Sequence, residues 1–178
     1  VSCKFWGLGS DGTVSANTNT IKIIGDHTNL HVQAFFEYDG RKSGGVTRSH
    51  LRFGPKEINS SYLVRNADFV ACSNKSYLTQ YDILSDIRPG GKVLLNCDWE
   101  GEDFDKNVSI EFKKAAVEKN IQLFIIDAAG IAKELGLGNR TNTILQAAFF
   151  KIINLIPPCD AEKHLKNAVL ESYGLKGD

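Results

Sequence analysis

A short glycine-rich segment near the start of the chain could bind a phosphate group. Gly7-Leu8-Gly9-Ser10-Asp11-Gly12 matches the pattern G-x-G-x-x-G, with an apolar run, Cys3–Trp6, before it and helical periodicity over Val14–Ile24 after it. The pattern therefore lies between a predicted strand and a predicted helix, where amide N–H groups can face a phosphate. These glycines could also form only a tight turn. The candidate ligand-binding residues of this segment are Gly9, Ser10 and Asp11.

Asp11 complicates this interpretation. Its carboxylate lies in the turn that a pyrophosphate would occupy, which lowers affinity unless the side chain faces away, caps the helix or binds a sugar hydroxyl. A nicotinamide or flavin site would also use an acidic residue about 20 positions further along. Glu37 or Asp39 could serve, so an NAD(P)- or flavin-binding domain stays an open alternative.

A second glycine-containing segment, Gly136–Thr143, combines a helix-ending glycine with polar residues at the start of another predicted helix. Arg140 offers a planar guanidinium to a phosphate, and Asn142 and Thr143 offer further donors. The ordinary alternative is helix capping beside a solvated arginine.

A third candidate lies in the basic segment Arg41–His50, where Gly44 and Gly45 would let a ligand approach the backbone. Lys42 and Ser43 are its candidate ligand-binding residues, although a charged hairpin turn would have the same composition.

Two asparagines follow or end predicted strands. Asn74 comes after Ala67–Cys72, and Asn96 ends the run Lys92–Asn96. Ligands of open α/β sheets bind beyond the carboxyl ends of the strands, so both residues are candidates. Each could equally be a turn or cap residue.

Catalytic and metal-binding patterns were not found. The sequence has neither G-x-S-x-G nor H-E-x-x-H, its four histidines lack metal-ligand spacing, and no two cysteines form C-x-x-C. Cys72 could act as a nucleophile beside His50, but a buried structural thiol is the preferred interpretation. We therefore predict no catalytic residue and no metal ligand in this chain.

Composition limits the partners. Lysine plus arginine and aspartate plus glutamate each total 21, which gives a formal net charge of zero. No overall field attracts nucleic acid or an anionic membrane, and no apolar run is long enough for a membrane span. We therefore predict that neither nucleic acid nor a membrane is a partner. The expected location is the cytoplasm, or an organelle in a eukaryote.

Predicted strands alternate with predicted helices along the chain, and several strands are continuous apolar runs. This pattern predicts an α/β fold, a Rossmann-like three-layer sandwich with a mostly parallel sheet and helices on both faces. The length fits a single domain over residues 1–178. Because the chain has no methionine and begins with a strand, we expect it to be excised from a longer polypeptide.

Four segments in order resemble the gamma-type domain of pyruvate:ferredoxin/flavodoxin oxidoreductases, which are 2-oxoacid oxidoreductases. The resemblance covers nearly the whole chain. The segments are Phe5–Thr13, Lys42–Phe53, Ala67–Cys72 and Gly136–Thr143.

The resemblance implies an enzyme that converts pyruvate and coenzyme A into acetyl-CoA and carbon dioxide and passes electrons to ferredoxin or flavodoxin. It also implies that this domain binds coenzyme A, whose contacts would fall on the candidates named above. Thiamine diphosphate, magnesium and 4Fe–4S clusters are expected in other domains, so the isolated domain would be inactive. The expected partners are those domains or subunits, in a full enzyme that is a homo-oligomer. A structural interaction domain, whose glycine loops are only turns, is the remaining alternative.

Overall fold

The computed structural model describes residues 1–40 and 44–173. These residues form six strands and seven helices. The strands are β1 (Ser2–Leu8), β2 (His31–Tyr38), β3 (Val46–Gly54), β4 (Ala67–Cys72), β5 (Ile87–Asn96) and β6 (Gln122–Ile126). The helices are α1 (Thr13–His27), α2 (Tyr77–Gln80), α3 (Gly101–Asn107), α4 (Ile110–Glu118), α5 (Ala128–Glu134), α6 (Asn142–Ile153) and α7 (Pro158–Tyr173).

All six strands belong to one sheet with the order β2-β3-β1-β4-β5-β6. The pairs β1–β4, β4–β5 and β5–β6 are parallel. Strand β3 is antiparallel to both β2 and β1, so β2 and β3 form a hairpin whose second strand lies beside β1. The predicted mostly parallel sheet is confirmed.

Helices cover both faces of this sheet, as predicted. Because side chains alternate along a strand, Phe5 and Trp6 of β1 point to opposite faces. Phe5 packs in a core with Phe149 of α6 and Leu165 of α7. Trp6 belongs to a second core, which includes Phe112 of α4. The fold is therefore an α/β sandwich of three layers.

One predicted loop is a helix. The acidic composition of Asp98–Asp105 predicts a loop, but α3 begins at Gly101. Glu102 and Asp103 lie in its first turn, where negative charge favours the positive end of the helix dipole. The acidic residues that predict a loop here therefore also favour the start of a helix.

Two other boundaries differ from the prediction. The sequence pattern predicts a helix from Ser76 to about Leu84, but α2 ends at Gln80 because the backbone of Tyr81 is extended. Pro89-Gly90-Gly91 predicts a turn, but these residues lie inside β5, where the pairing with β4 shifts register. This irregularity includes Gly90 with a φ of +74°, a conformation that favours glycine.

Strand β6 forms one edge of the sheet, and its apolar side chains are only partly covered. Leu123, Phe124 and Ile125 are 37%, 36% and 41% exposed. Since neighbouring side chains point to opposite faces, both faces of this edge carry exposed apolar surface. Within the described part of the chain, no helix is long and apolar enough to cross a membrane.

Removal of the Phe149 ring should strongly lower the stability of the core that it shares with Phe5 and Leu165. It is 1% exposed and makes edge-on contacts with Phe5 and Phe69, with centroid distances of 5.4 and 5.2 Å. We expect Phe149→Ala to lower the free energy of unfolding by about 3 to 5 kcal/mol, measured by urea unfolding. Phe35→Ala, which removes a ring that is 53% exposed, should cost about 1 kcal/mol or less. Equal losses would contradict the assigned core.

Candidate ligand-binding site

Asp11 organises the glycine-rich segment, residues 7–12, which we call the glycine loop. Its Oδ2 accepts hydrogen bonds from the backbone N–H of Leu8 at 2.9 Å and from the hydroxyl of Ser73 at 2.8 Å. Its Oδ1 accepts from the backbone N–H of Thr13, at the start of α1, at 2.8 Å. The carboxylate thus connects the ends of β1 and β4 to the first turn of α1.

The loop needs unusual backbone geometry at two positions. Ser10 and Gly12 have φ angles of +75° and +85°, in the region that favours glycine. A Cβ atom at Gly12 would lie 2.6 Å from Nδ2 of Asn142, so glycine is required there by space as well. Nδ2 of Asn142 donates to the carbonyl oxygen of Gly12 at 3.4 Å. The glycine loop and the start of α6 therefore meet.

Asn96 connects three successive strand ends. Its Nδ2 donates to the carbonyl oxygen of Ser73, after β4, at 3.0 Å. Its Oδ1 accepts from the N–H of Ala128, after β6, at 3.0 Å. Asn74 uses its Oδ1 to accept from the N–H of Ser76 at 3.0 Å. Both predicted residues line a 200 Å³ cavity at the strand ends, and each has a local structural contact.

Arg140 and Thr143 lie at the start of α6, but they do not line the glycine loop. Arg140 is exposed in the turn before the helix, and its backbone N–H donates to the carbonyl oxygen of Leu137 at 3.2 Å. Thr143 lines a separate groove between α6 and α7. Of this predicted group, Asn142 is the residue that contacts the glycine loop.

A cleft of 420 Å³ lies between the glycine loop and the β2–β3 hairpin. The N–H of Gly9 donates to the carbonyl oxygen of Gly45 at 2.8 Å and so joins the two sides. Gly9, Ser10 and Asp11 all line this cleft. The predicted residues Lys42 and Ser43 belong to the hairpin link but lie outside the described residues.

Two residues around this site were missed by the sequence reasoning. Ser73 holds the Asp11 carboxylate, and its position directly after a predicted strand was the signal that could have identified it. Tyr38 lines the cleft and is 65% exposed, and it ends the predicted strand before the glycine-rich turn.

Glu37 does not line the cleft, whereas Asp39 does. Oε2 of Glu37 lies 2.7 Å from Nε2 of His50, on the opposite face of the hairpin from Tyr38. The Nδ1 atom of His50 accepts from the backbone N–H of Val64 at 3.2 Å. Burial lowers the pKa of His50, against the opposing effect of its hydrogen bond with Glu37. A neutral ring that donates from Nε2 satisfies both neighbours.

Cys72 and His50 do not form a nucleophile and base. His50 lies on β3 and Cys72 ends β4, and β1 runs between these strands. Burial raises the pKa of Cys72 to about 12, so the thiol stays protonated at neutral pH. Its Sγ donates to the carbonyl oxygen of Asn74 at 3.2 Å. The geometry supports a buried structural thiol.

Acidic, histidine and cysteine side chains are dispersed over the described ranges. No group of three or more of them could hold a metal ion there. The local chemistry of the site is therefore that of backbone N–H groups, hydroxyls, amides and one bound carboxylate, which is suited to holding a polar organic ligand.

An open α/β sheet with a loop and cleft at the carboxyl ends of its strands is typical of the Rossmann-like class of α/β domains. The family model described as "Pyruvate ferredoxin/flavodoxin oxidoreductase" matches residues 2–177. The chain belongs to this family. It is 52% identical over 176 residues to a pyruvate-flavodoxin oxidoreductase of Klebsiella pneumoniae, covering 99% of this chain and 15% of that protein. The chain thus spans about a seventh of the length of this relative.

Solved structures share the fold. A pyruvate oxidoreductase subunit of Thermotoga maritima superposes with a TM-score of 0.70 at 20% identity, over 94% of this chain and 84% of that chain. A 2-oxoglutarate:ferredoxin oxidoreductase of Magnetococcus marinus, with 2-oxoglutarate, coenzyme A and succinyl-CoA bound, has a TM-score of 0.72 at 17% identity. That match covers 100% of this chain and 28% of the larger one.

Removal of the Asp11 carboxylate should loosen the loop. Asp11→Ala leaves two backbone N–H groups and one hydroxyl without their charged acceptor. We expect the free energy of unfolding to fall by about 2 to 3 kcal/mol, measured by urea unfolding. Asp39→Ala removes an exposed carboxylate from the same cleft and should change stability by about 0.5 kcal/mol or less. Indistinguishable variants would show that Asp11 does not hold the loop.

The buried His50 should make stability depend on pH. Its pKa is lower in the folded state, so the unfolded chain binds more protons and stability falls as pH decreases below about 6.5. His50→Gln should reduce this slope by up to about 1.4 kcal/mol per pH unit, measured by urea unfolding between pH 7.5 and 5.

The comparison of variant with wild type is needed because burial, and then the charge of His27, also lowers the pKa of His164. An unchanged slope in His50→Gln would contradict a neutral His50 in the folded state.

Proposed function

We propose that this chain is the coenzyme A-binding domain of a pyruvate:ferredoxin/flavodoxin oxidoreductase. The complete enzyme would convert pyruvate and coenzyme A into acetyl-CoA and carbon dioxide, with electrons passed to ferredoxin or flavodoxin. The observation that carries the proposal is the contact between the glycine loop and α6 beside an open cleft. The coenzyme A in the Magnetococcus marinus structure supports it, because that chain contains the same fold.

The ligand's chemistry matches donors at two helix starts. Coenzyme A carries a pyrophosphate and a 3′-phosphate, and the first N–H groups of a helix have no partner within that helix. The first turn of α1 lines the cleft through Val14 and Ser15. Asn142 and Thr143 begin the first turn of α6, and Arg140 lies just before its N-cap residue, Thr141. Backbone donors and one guanidinium can bind phosphates in a chain without net charge.

Asp11 has a structural role in this proposal. Both of its carboxylate oxygens already accept hydrogen bonds from the protein, so the carboxylate shapes the loop and does not contact the phosphates. Ser10 would present its backbone and hydroxyl groups to the ligand in its place, whereas the N–H of Gly9 donates to Gly45 and Gly9 lines the cleft beside it. Asn96 and Asn74 would act mainly by holding the neighbouring strand ends.

The domain would contribute to catalysis by position. Binding the nucleotide end of coenzyme A directs its thiol toward an acetyl group held on thiamine diphosphate in another domain, which raises the effective concentration of the thiol. We place magnesium, the 4Fe–4S clusters and the docking of ferredoxin or flavodoxin in other domains or subunits of a homo-oligomeric, cytoplasmic enzyme. The isolated domain would bind coenzyme A but would not catalyse the reaction of the complete enzyme.

An NAD(P)- or flavin-binding domain is the competing function. Asp39 lines the cleft, as a ribose-binding carboxylate should. The strand order counts against it, because β3 separates β2 from β1. In the dinucleotide-binding fold, the strand that carries the acidic residue lies directly beside the first strand.

Calorimetric titration with coenzyme A, dephospho-coenzyme A and NAD tests the proposal. We expect saturable binding of coenzyme A, weaker binding without the 3′-phosphate and none of NAD. Arg140→Ala should weaken coenzyme A binding by about 10- to 100-fold, the loss expected for a charge-assisted contact. Arg65→Ala is the matched control, since Arg65 is exposed just before β4, at the amino end of that strand and therefore opposite the end that carries the glycine loop.

Preference for NAD would support the dinucleotide alternative. No binding of any of these ligands by a correctly folded chain would overturn the proposal and favour an interaction domain.

A further inference from the structure

One wall of the cleft carries an exposed aromatic ring. Tyr38 is the last residue of β2, pairs with Thr47 of β3 and lines the cleft. Its side chain is 65% exposed. Tyrosine rings of soluble proteins are usually at least half buried by their apolar body, so a ring held open on a cleft wall is available to a ligand.

The opposite wall is the first turn of α1. Val14 and Ser15 line it, and Leu8 lines the end of β1 between the two walls. The cleft therefore combines apolar surface with a few polar groups in a volume of 420 Å³, within the range of small-molecule sites.

The position of Tyr38 separates it from the loop backbone. Gly7 of β1 pairs with Thr47, and Thr47 pairs with Tyr38. Tyr38 is therefore two strand spacings, about 10 Å, from β1. A ligand that reaches both the loop and this ring must be extended, with its planar group remote from the part bound at Gly9 and Ser10.

Asp39 places a carboxylate next to the Tyr38 ring. It is exposed, follows Tyr38 directly and lines the same cleft. Its backbone N–H donates a hydrogen bond to the carbonyl oxygen of Val46 at 3.1 Å, which fixes the main chain at this position. A carboxylate beside a ring can accept from the amino group of a base or from a ribose hydroxyl.

We propose that Tyr38 stacks on the adenine ring of coenzyme A and that Asp39 accepts a hydrogen bond from the adenosine. This inference rests on the proposed function and adds the orientation of the ligand, with the adenosine at the β2–β3 hairpin and the phosphates toward the glycine loop. Tyr38 thereby selects ligands with a planar base. It is a binding residue and takes no part in the chemistry of the thiol.

Calorimetry on the 178-residue chain with three probes tests this assignment. Coenzyme A and adenosine 3′,5′-bisphosphate contain the ring, whereas 4′-phosphopantetheine lacks it. Tyr38→Ala should weaken the first two by about 5- to 100-fold, the range measured for base–aromatic stacking, and leave 4′-phosphopantetheine unchanged. Tyr38→Phe keeps the ring and should retain binding within about 3-fold of wild type.

Tyr62→Ala is the matched control, since Tyr62 is 70% exposed but does not line the cleft. It should leave all three affinities unchanged, and urea unfolding should show that each variant folds.

The outcomes separate this inference from the proposed function. If wild type binds coenzyme A and Tyr38→Ala binds it equally well, the assignment of Tyr38 is wrong and the coenzyme A domain stands. An equal loss for 4′-phosphopantetheine would also overturn the assignment, because the effect would not involve the base. If wild type does not bind coenzyme A, both proposals fail.

Discussion

The carboxylate of Asp11 joins three elements where the chain leaves the carboxyl ends of β1 and β4. It accepts hydrogen bonds from Leu8, Thr13 and Ser73, which belong to the end of β1, the start of α1 and the residue after β4. The point between β1 and β4 is where the connections leave for opposite faces of the sheet. Such a point opens a crevice in doubly wound folds, and here a partly buried, hydrogen-bonded carboxylate gives its rim a defined shape.

The antiparallel strand β3 determines which residues form the outer wall of the cleft beside the glycine loop. In a fully parallel dinucleotide-binding sheet, the strand after α1 would lie beside β1. In this chain β2 lies one strand further out, and Gly45, just before β3, contacts the glycine loop. The outer wall of the cleft therefore carries Tyr38 and Asp39.

Much of the fold could be predicted from the sequence because local patterns determine it. The apolar runs that became β1, β4 and β6 are bounded by glycine or polar residues, and the turn before Val46 is too short for the dozen or more residues of a parallel crossover. Strand order is a different matter. Whether β3 inserts between β2 and β1 depends on which faces the helices cover, and no local pattern records that.

The candidate site was predictable to a smaller extent. Glycines that need positive φ angles, such as Gly12, leave a pattern in the sequence. The acceptor role of Asp11 does not, since its partner Ser73 is 62 positions away. The same holds for Asn96, whose amide joins residues from two other segments. Contacts between distant segments require the sheet to be assembled first.

The open edge at β6 affects how this chain behaves at high concentration. Gln122–Ile126 contains neither a charged side chain nor a proline, the two devices by which natural edge strands resist pairing with another chain. Its unpaired backbone groups and its apolar side chains favour edge-to-edge aggregation. Replacing Phe124 with a charged residue would therefore raise the concentration at which the domain aggregates. The replacement would not affect the cleft, which lies on the other side of β1.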